Sequence, residues 1–304
     1  MEKARLVYLA VIHSAIAYGA AIWHHSTEPP KRQKGPVAKL QKHQNSGLRQ
    51  VLGAFRATPI RQLETEAYVP PLDLWLNGRI ARFQARLERT GLARQIRDAC
   101  INIQIQLWRR GQRQRQRQQQ STDTPGAVQK QWIEKWIGQP IEQWDEREKQ
   151  RVLQDWTVRW KENYRKKEQV LRPGTDPGNR QTIPEDTPLN RAVLKLHSGL
   201  RKAESSVLVQ ARTGRIGLLK FLYNRKVPGV LSAQCRCRNG EETPRHMALF
   251  CIEEAGRRQH LRAGRRLDYQ QLIGTSGGAR RLAEWLIHSG RLGQFSLARR
   301  LLYS

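Results

Sequence analysis

Three of the four cysteines in this 304-residue chain fall within CRCRNGEETPRHMALFC, residues 235 to 251, with a histidine between the last two. Cys235, Cys237, His246 and Cys251 make a C-x-C-x8-H-x4-C set, which supplies soft thiolate and imidazole donors in the number a closed tetrahedral zinc site requires. Four protein ligands leave no open position for a water, so the expected role of the zinc is structural, not catalytic. The C-x-C spacing is tighter than the C-x2-4-C of common zinc fingers. The alternative reading is a set of buried cysteines beside an ordinary polar histidine.

Those four side chains need particular elements to carry them. Thr243 before Pro244 reads as an N-cap followed by proline at the first helical position, which starts a short helix holding His246 in its first turn and Cys251 near its end. Residues five apart on an ideal helix are roughly 140° apart around its axis, so both can face one ion only if the last turn opens. Upstream, Asn239-Gly240 is a turn signal placed to reverse the chain between the paired cysteines and that helix. Cysteines this close together do not staple a secreted domain, and their use points to a reducing compartment, nuclear or cytoplasmic. Cys100, alone beside an apolar stretch, reads as a small buried hydrophobe.

The charge balance sets the partner class. With 55 Lys and Arg against 26 Asp and Glu, a formal charge of +29 and a pI near 11.0, the chain repels itself and attracts polyanions. Nucleic acid, RNA or DNA, is the expected partner. Acidic membrane surfaces are the competing class, and simple use of arginine for solubility is the plain one. Arg109, Arg110, Arg113, Arg115 and Arg117 lie in WRRGQRQRQRQQQSTDTPG, residues 108 to 126, a low-complexity stretch expected to be disordered and able to clamp phosphates. Arg236, Arg238 and Arg245 add basic residues around the cysteine cluster. Trp132, Trp136, Trp144, Trp156 and Trp160 include pairs four apart on one helix face, with Tyr164 a turn further on; such a stripe either packs against a neighbouring helix or offers rings to stacked bases.

Alternating Val/Ile runs are scarce, so the expected fold is mainly α, in three segments. Residues 1–98 read as a helical bundle, 99–188 as a basic Gln/Arg-rich linker with the Trp-rich helical segment, and 189–304 as a small helical domain with the zinc knuckle. The apolar run LVYLAVIHSAIAYGAAIW, residues 6 to 23, resembles a signal or anchor, but His13, Ser14 and Glu2 interrupt that pattern. Leu6, Leu9, Ile12, Ile16 and Trp23 fall at helical spacing and predict a core helix with that stripe inward. Further on, Gly53 is an expected helix stop, Thr58 an N-cap with Pro59 at the first helical position, and Pro70-Pro71 a break. In the last segment Gly199, Gly214 and Gly290 are expected stops and Ser276 an expected cap.

LRQVLGAFRATPIRQLETEAYVPPLDLWL, residues 48 to 76, resembles the segment just beyond the polymerase core of LINE-like (non-LTR) retrotransposon reverse transcriptases, and YGAAIWH, residues 18 to 24, resembles the thumb-side helix before it. LHSGLRKAESSVLVQARTGRIGLLKFLYNRKVPGV, the C-x-C pair, ETPRHMALFC and LGQFSLA resemble the C-terminal tail of the same polyproteins, which ends in a CCHC knuckle. The resemblance covers both ends of the chain and is specific at the tail. It implies zinc on Cys235, Cys237, His246 and Cys251 and contact with the element's nucleic acid. Polymerisation in that family needs a Y/F-x-D-D turn to hold its metal ions, and no two adjacent aspartates occur in this sequence. The implied protein is a C-terminal remnant of such a polyprotein without polymerase or nuclease residues. The alternatives are an accessory part working with a reverse transcriptase core supplied in trans, and a vestigial unstable product.

Overall fold

Apolar residues at three- and four-residue spacing, punctuated by caps and glycine stops, bury their faces most simply by packing helix on helix. The computed structural model describes residues 1–24, 35–88, 141–168, 189–262 and 267–303, with isolated positions between 95 and 106, and the chain is mainly helical, as expected. Among the described residues no strand forms, and one antiparallel bridge joins Gln234 to Glu241. The arginine run 109–117, Cys100, Trp132, Trp136 and the side chains of Trp144 and Tyr164 lie outside the described residues. No described helix is long and apolar enough to cross a membrane.

The opening apolar run departs from its expected form. It is not one regular helix: α1 (Glu2–Val7) passes into a π-helical stretch (Tyr8–His13), then α2 (Ser14–Ile16), and after a left-handed Gly19 comes α3 (Ala20–Trp23). The wider i→i+5 turn brings Tyr8 and His13 to the same inward face. Tyr8, His13, Ala17 and Ala20 are therefore buried, whereas Leu6 and Ile12 of the expected inward stripe are exposed together with Val7, Val11, Tyr18 and Ile22. His13 Nε2 meets Gln44 Oε1 at 2.9 Å, and its ring lies 4.4 Å from that of Trp75.

Next come α4 (Pro36–Leu52), α5 (Ile60–Ala67) and α6 (Leu72–Glu88). Gly53 ends α4 in the left-handed conformation, as expected. The start of α5 corrects the expected cap. Pro59, with extended backbone, holds the N-cap position, Ile60 is the first helical residue, and the Thr58 hydroxyl is buried without a hydrogen-bond partner among the described residues. Along α6 lies α7 (Ile141–Glu168). Trp156 and Trp160 of α7 are buried, one against the Tyr68 ring at 5.5 Å and the other beneath the Arg61 guanidinium at 4.6 Å. For these two tryptophans, packing is the role observed. Arg159 joins α7 to α6 through two contacts of 2.8 Å with the Asp73 carboxylate.

The last segment begins with a 3-10 turn (Arg191–His197), followed by α8 (Lys202–Thr213), which Gly214 terminates, and α9 (Leu219–Asn224). After α10 (Pro244–Leu249) and two short 3-10 turns come α11 (Tyr269–Gly274), α12 (Ser276–His288) and α13 (Ser296–Tyr303). The cap of α12 is Thr275, one position before the expected Ser276: its extended backbone lets the hydroxyl accept from Gly278 N at 3.2 Å. The segment's largest core joins Val207 and Ala211 of α8 to Met247, Tyr269, Leu282 and Trp285.

Helix α8 also enters the first segment. Val209 shares a core with Leu48, Leu52 and Leu63. Lys202 Nζ donates to the Gln50 and Val51 carbonyls at the end of α4, and Gln210 Nε2 donates to Gly53 O at 2.9 Å. At Gly53 a Cβ would collide with the Ser206 side chain, so glycine serves both the left-handed stop and the close approach of α8. Described residues of the first and last segments thus share one core.

Within the first segment, burial pushes the Glu64 carboxyl up to about 8, the Asp73 charge adds to the rise, and Arg159 opposes it. The folded chain therefore keeps a proton that the unfolded chain releases near its ordinary value of 4.5. This contribution to stability is fully present below that value and is lost as pH rises through about 8. Urea midpoints for wild type and Glu64→Gln at about pH 6 and about pH 9 should show a drop in the wild type that the variant lacks; parallel pH profiles would contradict the assignment.

Candidate metal centre

The loop between Gln234 and Glu241 brings the first two cysteines together. Cys235 N donates to Gly240 O at 2.8 Å and Glu242 N to Ala233 O at 2.9 Å, so the chain reverses over Arg236–Gly240, as Asn239-Gly240 predicts. The reversal needs positive φ at Arg238 (59°) and Gly240 (137°). Thr243 Oγ1 then accepts from His246 N at 3.1 Å and Pro244 begins α10, the expected cap and first position.

The far end of α10 resolves the five-residue mismatch between His246 and Cys251. The N–H groups of Phe250 and Cys251 both donate to His246 O at 2.8 Å, the second being an i→i+5 bond, and the helix ends at Leu249. Cys251 has left the helix in extended conformation, with φ −64° and ψ 121°. This opened turn swings its sulfur back toward the imidazole face. The ligand atoms of Cys235, Cys237, His246 and Cys251 all lie within 4.8 Å of one another, an arrangement that can hold a metal ion. Cys235 Sγ is 3.6 Å from Cys251 Sγ, and Cys237 Sγ is 3.2 Å from His246 Nε2.

The surroundings act on the four ligands differently. Burial, reinforced by repulsion from the Arg258 and Arg291 charges, lowers the pKa of His246 and so favours the neutral ring that a ligand needs. Burial raises the Cys235 and Cys251 thiols. Cys237 moves the other way: burial pulls it up, but the Asn239 N–H, 3.5 Å from its sulfur, and the neighbouring Cys235 and Cys251 thiols together hold it below the ordinary value. A metal would displace protons from the sulfurs as it binds, and Cys237 would release its proton more readily than Cys235 or Cys251. Arg258 donates to the Cys251 carbonyl, and Arg291 donates to Glu253 at 2.5 Å and lies 3.4 Å from Glu254, placing two cations around a sulfur-rich site.

Of the arginines the sequence singled out, Arg236 and Arg238 are exposed on the loop, and Arg245 lies half-buried with its guanidinium 5.6 Å from the Phe250 ring. Arg109, Arg110, Arg113, Arg115 and Arg117 lie outside the described residues. The supporting groups were not apparent from spacing. Arg258 reaches Cys251 only through the tertiary fold, and Gly240, legible as a turn residue, also sits against His246. Comparison of the chain with protein-family models, with curated proteins and with solved structures finds no match.

Gly240 provides a local test. A Cβ there would lie 3.0 Å from His246 Nδ1, and φ of 137° is unfavourable for any other residue. Gly240→Ala should push the imidazole off its position and weaken metal retention by about 10- to 100-fold, the scale of support-shell losses. Competition with a chromophoric chelator measures it; unchanged affinity would show that the Gly240 contact is dispensable.

Proposed function

We propose that this protein binds zinc through Cys235, Cys237, His246 and Cys251, binds nucleic acid through its basic surface, and derives from a non-LTR retrotransposon reverse transcriptase polyprotein without retaining catalysis. The observation that carries the reading is the convergence of the four donors on a loop whose own exposed residues include Arg236 and Arg238. Zinc bonds of about 2.3 Å to sulfur and about 2.0 to 2.1 Å to nitrogen give tetrahedral edges of about 3.8 Å for S···S and about 3.6 Å for S···N. The 3.6 Å S···S separation lies close to that edge, the 3.2 Å S···N separation is shorter, and the set as a whole extends to within 4.8 Å, so the donors would adjust slightly around the ion. The zinc would order the loop and α10, and the arginines would neutralise phosphates. The absence of adjacent aspartates supports a non-catalytic role.

A second reading is favoured by one feature. The exposed apolar residues Leu6, Val7, Val11, Ile12, Tyr18 and Ile22 on the opening helices suit an accessory chain that docks on a reverse transcriptase core supplied in trans. Primer extension by that core, with and without this chain, separates the two: stimulation that the Val11→Asp variant abolishes favours the accessory role.

Purified protein should contain close to one zinc, and Cys251→Ser should lose it. If about six phosphates are neutralised, log affinity should fall with log salt at a slope near −4 on single strands and −5 on duplex. Elemental analysis and fluorescence anisotropy across a salt series make the measurements. Absence of zinc after chelator-free purification sinks the metal assignment, and an affinity indifferent to salt sinks the electrostatic one. Tighter binding to acidic vesicles than to nucleic acid at matched charge would move the partner to a membrane surface.

A further inference from the structure

Where the chain turns from α12 into α13 it borders a cavity of about 440 Å³, within the size range of small-ligand sites. Buried Ile287 and Leu292 close its base. The wall open to solvent is formed by His288, Gly290, Ser296, Arg299 and Arg300, all exposed residues. Gly290 makes the arrangement possible. Its φ of 70° carries the chain through the turn, and a Cβ there would collide with Arg299 Nη1, so the missing side chain leaves room for that guanidinium at the wall.

The charges around the cavity are one-sided. Arg299 and Arg300 make no hydrogen bond or ion pair among the described residues, and no acidic residue lines the space. Glu284, one turn back on α12, is not part of the wall. The Glu253 and Glu254 carboxylates are held by Arg291, at 2.5 and 3.4 Å. A further cation extends the patch: Arg257, 3.8 Å from Glu254, donates through Nη1 to the Ser289 carbonyl at 3.3 Å, between the lining residues His288 and Gly290.

Guanidinium groups present planar forks of donors that match phosphate oxygens, and the Ser296 hydroxyl adds another donor. The charges of Arg299 and Arg300 together match a phosphate monoester, which carries about −1.5 to −2 and three acceptor oxygens. An internal phosphodiester has a single charge, and it could enter a cavity closed at its base only by bringing a nucleotide in on each side. We propose that this cavity holds the terminal phosphate of a nucleic-acid strand, with Arg299 and Arg300 on its oxygens and the strand leaving past Arg257. The formal charge of +29 favours a strand over a free mononucleotide, because the rest of a polyanion can use the surrounding basic surface. The inference rests on the nucleic-acid reading above and adds to it a preference for phosphorylated ends, which a general basic surface does not give.

The test uses the full chain, purified without chelators, and labelled oligoribonucleotides of one sequence with a 5′-phosphate, a 3′-phosphate or hydroxyl at both ends, read by anisotropy. A slightly longer hydroxyl-ended strand of equal total charge is the reference. Wild type should bind at least one phosphorylated strand about tenfold more tightly than that reference, the low end for a hydrogen bond to a charged group. Arg299→Gln and Arg300→Gln should each remove most of that preference while changing hydroxyl-ended binding little. Arg56→Gln, at an exposed position away from the cavity, should leave the preference intact. Inorganic phosphate should erase the preference at concentrations where chloride of equal ionic strength does not. Circular dichroism confirms that each variant is folded. Equal binding of phosphorylated and charge-matched strands overturns the pocket and leaves the electrostatic reading standing, as does a preference that survives both substitutions. A mononucleotide or a phosphopeptide that binds as tightly as the phosphorylated strand overturns the strand end as occupant. If wild type binds no nucleic acid, both readings fall together.

Discussion

A charge pair sealed inside the molecule holds its two ends together. Glu66 on α5 is fully enclosed, and Arg212 on α8 meets both its carboxylate oxygens, at 3.0 and 2.9 Å, while also donating to the Ile273 carbonyl of α11. His197 of the 3-10 turn lies 3.8 Å from the same carboxylate. Burial works against the ionised form of Glu66, yet Arg212 and His197 outweigh it and hold the carboxyl below the ordinary range. Pairs of this kind add little net stability compared with apolar replacements, but losing one partner strands a charge at a cost of about 3–5 kcal/mol. The pair therefore acts mainly as a register: α5, α8 and α11 can pack in only one way that satisfies it.

The metal centre builds on that register. Helix α8 carries Val207 and Ala211 into the core that also takes Met247 and Ala248 of α10, so one side of the cysteine cluster is anchored before any ion binds. The hairpin side is held by the Gln234–Glu241 bridge, a 3.3 Å bond from Lys220 N to Glu242 O and the exposed Lys220–Glu241 ion pair. An ion shared by both sides would close the loop from Cys235 to Cys251 and couple its binding to the order of that whole stretch.

The sequence carried these features unequally. Helix class, the stops at Gly53 and Gly214, the Thr243 cap and the convergence of Cys235, Cys237, His246 and Cys251 were legible, because each follows from local backbone rules or from ligand type and spacing. Caps failed by one position at Thr58 and Ser276, where adjacent residues compete for the same role and the entering chain decides. The opening helix failed more instructively: a five-residue turn at Tyr8–His13 changed its inward face, and nothing in a 3.6-residue period announces such a turn. Nothing in the sequence marks Glu66 or Arg212 for the part they play. Only the meeting of segments nearly 150 positions apart, |i−j| = 146, makes them partners.

That altered inward face leaves Leu6, Val7, Val11, Ile12, Tyr18 and Ile22 as an apolar stripe on a body carrying a formal charge of +29. In dilute buffer, mutual repulsion keeps two such bodies from bringing their stripes together. Added salt shortens the reach of that repulsion to about 10 Å at 0.1 M and leaves the water-driven attraction between stripes intact. Colloidal behaviour therefore runs opposite to that of a protein whose self-contacts are ionic: concentrated salt favours clustering, and a polyanion that coats the surface changes solubility by replacing repulsion between chains with a shared counter-charge.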